Sequence, residues 1–369
     1  MSGQKILTTG NEAAAEAAIR AGCRFYYGYP ITPQNEITAY MAAHMPPAGG
    51  VFIQAESELA AISMCHGTSA TGRRVMTSSS SPGISLKQEG ISYMAGAELP
   101  AVIINVMRGG PGLGDISPAQ GDYFQATKGG GHGDYRVIVL APHTVQEMYD
   151  YVMDAFDLAD LYRTPALLLS DGQLGQMMEP MVMKEYKPRE LPSKASWTLT
   201  GAEGREQHIV KSFFLKAGDL VKHNEKLQAK YRQIEQKEVR YEEIGVQDAE
   251  IILIAYGTSA RVCLDAMRTA RREGLKMGLL RPITLWPYPT SIIRRRADEG
   301  YQFLVVEMSA GQMVEDVRLA VEGRTPVGFC GRAGGGSPAP IEIINKAREM
   351  VVRPVRPARR AKGGQVRGA

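Results

Sequence analysis

The sequence predicts an α/β protein built on mainly parallel sheets with helices packed on both faces. The main observation is a series of short apolar runs, each followed by small residues and then by a segment with helical periodicity. Runs this short and this continuously apolar are typical of strands buried on both faces. The first series reads CRFYYGYP, RRVMTSSSSPG, PAVIINVMRGGPG, YRVIVLAP and PALLLSDGQLG, and the second reads AEIILIAYGTSA, YQFLVVEMSAG and PVGFCGRAGGG.

The segments between the runs predict how the chain is divided. NEAAAEAAIRAG and VQEMYDYVMDAFDLAD are amphipathic and suit the crossover helices of βαβ units. Residues 186–246 separate the two series and include the charge-rich stretch HNEKLQAKYRQIEQKEVRYEE, which favours a linker with a solvent-facing helix. We therefore predict an α/β domain over residues 1–185, this linker, a smaller α/β domain over 247–350 and a basic tail over 351–369.

Composition and charge argue against several classes of protein. The formal net charge is +4, but residues 353–369 hold six Lys and Arg and no acid, leaving 37 basic and 39 acidic residues elsewhere. A near-neutral body does not favour a nucleic-acid-binding face. The tail is most simply a disordered end, or alternatively a partner-docking arm. No apolar run approaches the roughly 18 residues of a membrane span, and the N-terminus does not look like a signal peptide, so we expect a cytoplasmic protein.

The cysteines and histidines suggest no metal or redox site on this chain. Four cysteines stand alone without C-x-x-C spacing, which excludes the usual local ligand sets for zinc and iron–sulfur clusters. We expect them to be buried small apolar residues and any redox relay to lie on another chain. His66 and His132 have no catalytic spacing and are expected to be structural. The isolated cysteines are Cys23, Cys65, Cys263 and Cys330.

The stretch GYPITPQNE, residues 28–36, is the first candidate site, because ligands collect beyond the carboxyl ends of parallel strands. Pro30 is predicted to end a strand and Pro33 to occupy the first helical position, which would make Thr32 the N-cap. A threonine there can simply accept hydrogen bonds from the helix amides. The same geometry can also seat a carboxylate, since a helix N-terminus with a hydroxyl donor binds anions.

Glu58 is the second candidate. It opens the predicted helix in QAESELAAISMCHGTSATGRR, residues 54–74, whose following positions are small or apolar. An acidic residue at a helix start can merely complement the helix dipole. Alternatively, the apolar surroundings favour burial, where a carboxyl group can exchange a proton near neutrality.

Arg108 is the third candidate, because it directly follows the buried-strand pattern PAVIINVM and precedes two glycines. It is either a surface residue at a strand end or an arginine whose guanidinium is fixed so that two N–H groups bind a substrate carboxylate. The neighbouring GGPGLG resembles a dinucleotide fingerprint only loosely and is given no nucleotide role. The stretch TSSSSPG, residues 77–83, predicts a polar loop that leads into a helix.

Together these segments resemble the α subunit of the 2-oxoacid:ferredoxin oxidoreductases, which use thiamine diphosphate and acylate coenzyme A. The resemblance runs from about residue 4 to residue 350. It looks closest to the 2-ketoisovalerate (3-methyl-2-oxobutanoate) oxidoreductase branch. The strings that carry it are YPITP, ESELAA, GISLKQEGISYMAGAELPAVIINVMRGGPGLG and QGDYFQATKGGGHGDY.

The resemblance implies a role for each candidate residue. Glu58, rather than Glu56, would hydrogen-bond the aminopyrimidine ring of thiamine diphosphate, and Pro30 would lie at the cofactor site. Thr32 and Arg108 would hold the carboxylate of the 2-oxoacid. The resemblance also implies a thiamine-diphosphate-binding fold of the pyrimidine type, followed by a smaller domain like the C-terminal domain of transketolase.

One motif of thiamine enzymes is missing. The nearest match to the G-D-G motif that grips Mg²⁺ and the diphosphate is LSDGQLGQ, which lacks the first glycine and a suitably placed asparagine. The resemblance therefore implies a β subunit that brings Mg²⁺ and the diphosphate half of the site. It further implies [4Fe–4S] clusters on the β subunit and on a small ferredoxin-like subunit, a γ subunit, ferredoxin as acceptor and coenzyme A as co-substrate, as in anaerobic metabolism.

Several alternatives stay open from the sequence. The substrate can be 2-oxoglutarate, pyruvate or an aryl 2-oxoacid rather than 3-methyl-2-oxobutanoate, because these acids share the reacting end. The chain can also be a non-catalytic scaffold subunit of such a complex. A thiamine-dependent decarboxylase or transketolase is a further alternative, against which the missing diphosphate motif weighs.

Overall fold

The computed structural model describes residues 5–351. Except for Val351, the predicted basic tail lies outside the described residues. The first sheet has seven strands in one continuous order, all parallel except the antiparallel edge strand β13. In spatial order they are β13 (Thr284–Trp286), β7 (Ile138–Leu140), β8 (Ala166–Asp171), β5 (Val102–Gly109), β4 (Val75–Ser79), β2 (Phe25–Gly28) and β3 (Val51–Gln54).

The apolar runs form the centre of this sheet. Every residue of β4, β5, β7 and β8 is buried, as expected for strands covered on both faces. The antiparallel strand β6 (Asp115–Pro118) pairs with the end of β5. The helices of this part of the chain are α1 (Gly10–Arg20), α2 (Asn35–His44), α3 (Glu58–Ala70), α4 (Ser81–Gly96), α5 (Val145–Tyr162) and α6 (Gly172–Gln176), with a π-helix at Gln125–Gly129.

A second sheet of five strands is parallel except for its edge strand β10. Its order is β10 (Tyr241–Ile244), β12 (Met277–Pro282), β11 (Ile251–Ile254), β14 (Gln302–Glu307) and β15 (Val327–Gly331). Its helices are α8 (Gly257–Arg272), α9 (Thr290–Asp298), α10 (Met313–Val321) and α11 (Pro340–Val351). A separate two-stranded antiparallel sheet pairs β1 (Lys5–Thr9) with β9 (Met178–Val182). The predicted α/β class with mostly parallel sheets is confirmed.

The helix predicted in the linker is α7 (Asp219–Lys237). Most of its side chains face solvent, but Leu227, Tyr231 and Ile234 are buried. Strand β10 falls within the predicted linker yet belongs to the second sheet, whereas β13 follows β12 in the chain and joins the first sheet. Each of these strands therefore lies on the opposite side of the predicted boundary at residue 246 from the rest of its sheet. The position of the domain boundary itself remains a prediction.

Polar contacts dock the second sheet onto the first. The Arg281 guanidinium on β12 is 2% exposed and donates to both carboxylate oxygens of Glu147 on α5, at 2.8 and 3.0 Å. Burial alone would raise the pKa of Glu147. Hydrogen bonds from His143, together with the positive charge of Arg281, instead lower this pKa to about 2. The Thr258 hydroxyl at the start of α8 donates to Asp171 at the end of β8, at 2.8 Å. The second sheet is thereby anchored beside the carboxyl end of the first.

Strands absent from the sequence prediction have identifiable reasons. Most are short and partly exposed, and their apolar runs are at most three residues long: β3, β6, β9 and β10 each carry exposed residues. Strand β12 is fully buried, but its run MGLLRP contains a glycine and an arginine. Among residues 5–351, no helix combines the length and the apolar character needed to cross a bilayer.

Candidate active site

Glu58 is the first residue of α3, and its side chain is buried, with 6% of the residue exposed. Ser57 caps this helix, because its hydroxyl accepts a hydrogen bond from the Ala60 amide at 3.2 Å. The cap therefore leaves the Glu58 carboxyl free of the capping role. The next residue, Leu59, is 45% exposed, so α3 begins at the protein surface.

Gly83 in the first turn of α4 is what makes room for this carboxyl. A Cβ at position 83 would lie 2.5 Å from Glu58 Oε1 and 2.1 Å from Ser79 Oγ, closer than any side chain tolerates. The α4 backbone thus packs directly against the carboxyl group. A side chain at this position would displace the Glu58 carboxyl or the Ser79 hydroxyl, so the glycine is favoured by close approach rather than by an unusual backbone angle.

Arg108 lies at the end of β5 and is 8% exposed, so the alternative of a surface arginine is wrong. Its Nη1 donates to the Thr32 carbonyl oxygen at 3.0 Å, and its Nη2 donates to the Leu113 carbonyl oxygen at 2.9 Å. Within the described residues its buried Nε has no hydrogen-bond partner. The guanidinium thus keeps donors for a further acceptor.

The prediction that Thr32 is a helix N-cap is wrong. Helix α2 begins at Asn35 with Gln34 as its N-cap residue, and Thr32 lies in the preceding turn, half-buried. Its hydroxyl accepts a weak hydrogen bond from Asn35 Nδ2 at 3.4 Å, and it lies beside Arg108 through its carbonyl group. Pro30, which follows β2, is exposed.

Two polar side chains that sequence reasoning did not single out hold the Thr32 turn. Gln34 is fully buried, donates to the Tyr29 carbonyl at 3.2 Å and accepts from the Ser78 hydroxyl at 2.5 Å. Asn11, also fully buried, donates to the Pro33 carbonyl at 2.8 Å. Both tie the turn to the body of the sheet, so its position is fixed from each side.

The start of α4 also connects Arg108 to a buried polar cluster. Ser81 Oγ accepts from the Arg108 amide at 3.1 Å and donates to Asp122 at 2.6 Å, while Asn105 donates to the same carboxylate at 2.9 Å. Burial raises the pKa of Asp122, although the hydrogen bonds from Ser81 and Asn105 oppose this. A polar Asn105 within the apolar run PAVIINVM is the signal by which the sequence could have revealed this cluster.

The structure therefore brings the three candidates into one connected set. The first turn of α4 touches Glu58 at Gly83 and Arg108 at Ser81, and Arg108 in turn holds the Thr32 turn. TSSSSPG was predicted as a loop, but Thr77, Ser78 and Ser79 complete β4 and only Ser80 precedes α4. In the described part of the chain, the Ser79 and Ser80 hydroxyls are buried without partners. Since buried polar groups normally have partners, these hydroxyls and Arg108 Nε are candidate ligand contacts.

Other candidates lie elsewhere or have structural partners. Cys23, Cys65 and Cys263 are buried and Cys330 is half-buried, and burial raises the pKa of Cys23 and Cys65 to about 12. His132 meets Tyr93 edge-on and lines a cavity of about 680 Å³ at the C-terminal end of α4, away from Gly83. Within residues 5–351, no group of three or more His, Cys, Asp or Glu side chains is arranged to hold a metal ion.

Comparison with known proteins decides the family. The family described as pyruvate flavodoxin/ferredoxin oxidoreductase, thiamine-diphosphate-binding, matches residues 16–244, which is more than half of the chain. The chain belongs to this family. A second family model, core domain II of pyruvate:ferredoxin oxidoreductase, matches residues 249–343 of this oxidoreductase subunit.

Relatives and solved structures agree with this assignment. The oxidoreductase subunit is 53% identical to the ketoisovalerate oxidoreductase subunit VorB of Methanothermobacter thermautotrophicus, over 93% of this chain and 97% of that one. It is 36% identical to the 2-oxoglutarate synthase subunit KorA of Methanothermobacter marburgensis, over 94% and 99%. The structure of 2-oxoglutarate:ferredoxin oxidoreductase from Magnetococcus marinus, with 2-oxoglutarate, coenzyme A and succinyl-CoA bound, matches with a TM-score of 0.83 and 27% identity. That match covers 94% of this chain but only 65% of the other.

Proposed function

We propose that this oxidoreductase subunit supplies the pyrimidine-binding half of a thiamine diphosphate site at which a 2-oxoacid is oxidatively decarboxylated to an acyl-CoA. The observation that carries the proposal is the Glu58 carboxyl, buried against the α4 backbone at Gly83. A buried carboxyl group that is shielded from water can share a proton with a ring nitrogen. When bound, thiamine diphosphate supplies a nucleophilic carbon for the 2-oxo group and accepts the electron pair released with CO₂.

The residues of this chain would act at two ends of the site, one that binds the cofactor and one that binds the substrate. Glu58 would hold and exchange the proton at the aminopyrimidine ring, with Pro30 at the edge of the cofactor site. Arg108 and Thr32 would bind the substrate carboxylate, the guanidinium through its free donors and the threonine through its hydroxyl. Both act by orientation, because a 2-oxo carbon held beside the cofactor reacts far faster than a free one.

The surroundings of Arg108 favour a substrate with an apolar side chain. The Leu113 carbonyl is bonded to Arg108, while the Leu113 side chain is 82% exposed, and Ile116 nearby is exposed as well. The segment over residues 109–118, from the end of β5 through β6, carries the acid Asp115 and no cation, which does not suit the second carboxylate of 2-oxoglutarate. Together with the 53% identity to a ketoisovalerate oxidoreductase subunit, this supports 3-methyl-2-oxobutanoate as the substrate.

The remaining parts of the reaction are assigned to partner chains. Asp171, the acid of LSDGQLGQ, is fully buried and accepts hydrogen bonds from Thr258 and from the Gln173 and Leu174 amides in α6. That engagement supports placing Mg²⁺ and the diphosphate on a β subunit. Exposed apolar side chains near the site, Tyr29, Leu59 and Leu86, fit a surface that a partner covers. The [4Fe–4S] clusters, a γ subunit and a small ferredoxin-like subunit would complete the complex, with ferredoxin as acceptor.

Glu58→Gln in the complex co-purified with its partner subunits should lower turnover by roughly 10²–10⁴-fold, the usual contribution of a positioned acid–base group. The measurement is the rate of 2-oxoacid-dependent reduction of a ferredoxin or viologen acceptor. Glu56→Gln is the matched control, since Glu56 is exposed, and it should retain normal turnover. A Glu58→Gln complex with near-normal rates would show that the carboxyl assignment is wrong and would favour a scaffold role.

Arg108→Lys should raise the KM for the 2-oxoacid by about tenfold or more, because lysine keeps the charge but loses the planar fork of donors. Steady-state kinetics with varied 2-oxoacid at saturating coenzyme A measures this change. Arg73→Lys on the exposed surface serves as control and should leave KM unchanged. If Arg108→Lys altered neither KM nor kcat, Arg108 would not bind the substrate carboxylate.

A substrate panel with the purified complex tests the choice of 2-oxoacid. We expect kcat/KM for 3-methyl-2-oxobutanoate to exceed that for pyruvate by at least about tenfold. The reason is that 3-methyl-2-oxobutanoate has two more methyl groups than pyruvate, and burying them in an apolar pocket stabilises the transition state by this amount. The discrimination against 2-oxoglutarate should be larger, because its second carboxylate would find no cation in the segment over residues 109–118. A preference for 2-oxoglutarate, pyruvate or an aryl 2-oxoacid would refute the branched-chain assignment while leaving the reaction type in place.

A further inference from the structure

Lys87 is a fully buried lysine that the proposed reaction does not use. It lies on α4, is 0% exposed, and its Nζ donates to the main-chain carbonyl oxygen of Glu58 at 3.3 Å. No carboxylate among residues 5–351 lies within ion-pair distance of it. This is the one hydrogen bond that its ammonium group makes in the described structure.

Burying an ammonium group with a single hydrogen bond costs free energy, so its presence needs an explanation. Burial lowers the pKa of Lys87 to about 8, while electrostatic interactions with Cys65 and Glu58, both on α3, oppose this shift. A methionine of similar length would fill the same space without that cost. Simple packing therefore does not account for a lysine here.

The spacing of α4 shows what Lys87 faces. Gly83, Lys87 and Gly90 are separated by four and three residues, so they share one face of α4. A Cβ at Gly83 would lie 2.5 Å from Glu58 Oε1, and one at Gly90 would lie 2.5 Å from Ile62. Lys87 thus lies between the two positions, Gly83 and Gly90, at which α4 packs closely against α3. Glu58 is in the first turn of α3 beside it.

We propose that Lys87 is a positioning residue, which holds the main chain of Glu58 so that its carboxyl stays against the α4 backbone at Gly83, where the cofactor would bind. The proposal rests on the proposed function of Glu58. Lys87 acts through Glu58 and touches neither cofactor nor substrate. Small displacements matter here, since a misplacement of about 1 Å at a reacting group can cost roughly 100-fold in rate.

A double-mutant cycle in the co-purified complex tests this proposal, using wild type, K87M, E58Q and K87M/E58Q. The readouts are kcat, the Kd of thiamine diphosphate for cofactor-depleted complex by fluorescence quenching, and the Tm of that complex without cofactor. We expect K87M alone to lower kcat by about 10- to 100-fold and to weaken cofactor binding about tenfold. In the E58Q background, K87M should change cofactor binding by less than about twofold, because residues that act through one contact are not additive.

The melting temperature separates positioning from a structural role. Removing an uncompensated buried charge should leave the Tm of K87M unchanged or raised. K87Q, which retains a donor, should recover part of the cofactor affinity, and it replaces K87M in the cycle if K87M does not assemble. Lys237→Met on the exposed face of α7 is the control and should change none of the readouts.

Three results would overturn the proposal: equal effects of the Lys87 variant with and without Glu58, normal cofactor binding and kcat in that variant, or a large fall in its Tm. The proposed function is tested separately within the same cycle. If E58Q itself left cofactor binding and turnover unchanged, the assignment of Glu58 would fail, whatever the Lys87 variants show.

Discussion

The packing of α3 against α4 at Gly83 is the contact on which the site depends. Because Gly83 has no side chain, the α4 backbone comes close enough to cover the Glu58 carboxyl, and Gly90 allows the same approach at Ile62. A carboxyl group at the first residue of a helix would ordinarily be solvated and would complement the helix dipole. Here it is buried instead, just beneath a surface with exposed apolar side chains, so it can meet a ligand supplied across a subunit boundary.

Helix α4 also coordinates the substrate end of the site. Its first residue, Ser81, is bonded to the main chain of Arg108, whose guanidinium holds both the Thr32 turn and the Leu113 loop. The segment that follows β15 supports the same region, because the Gly336 amide donates to the Pro118 carbonyl on β6. A movement at the start of α4 would therefore disturb the Glu58 and Arg108 ends together, which suits a reaction whose cofactor and substrate must be held in register.

How far the sequence predicts this molecule follows from how local each signal is. Buried strands such as β5 and β8 are apparent as apolar runs. The helix that begins at Glu58 is predicted correctly because its run of small and apolar residues is a local signal. The N-cap assignment of Thr32 fails because the long-range bonds of Gln34 and Asn11 set the turn. Lys87 gives no signal either, since its burial depends on glycines that let two helices approach, a contact that no spacing within one helix reveals.

Hydrogen–deuterium exchange on the complex, with and without saturating thiamine diphosphate, tests the central claim most directly. If Glu58 and the start of α4 line the cofactor crevice, amides over residues 57–62 and 80–84 should become protected when the cofactor binds, because bound ligand suppresses local opening. Amides of α7 should exchange at the same rate in both states. Unchanged exchange at both helix starts, with protection confined to other parts of this chain, would contradict the account.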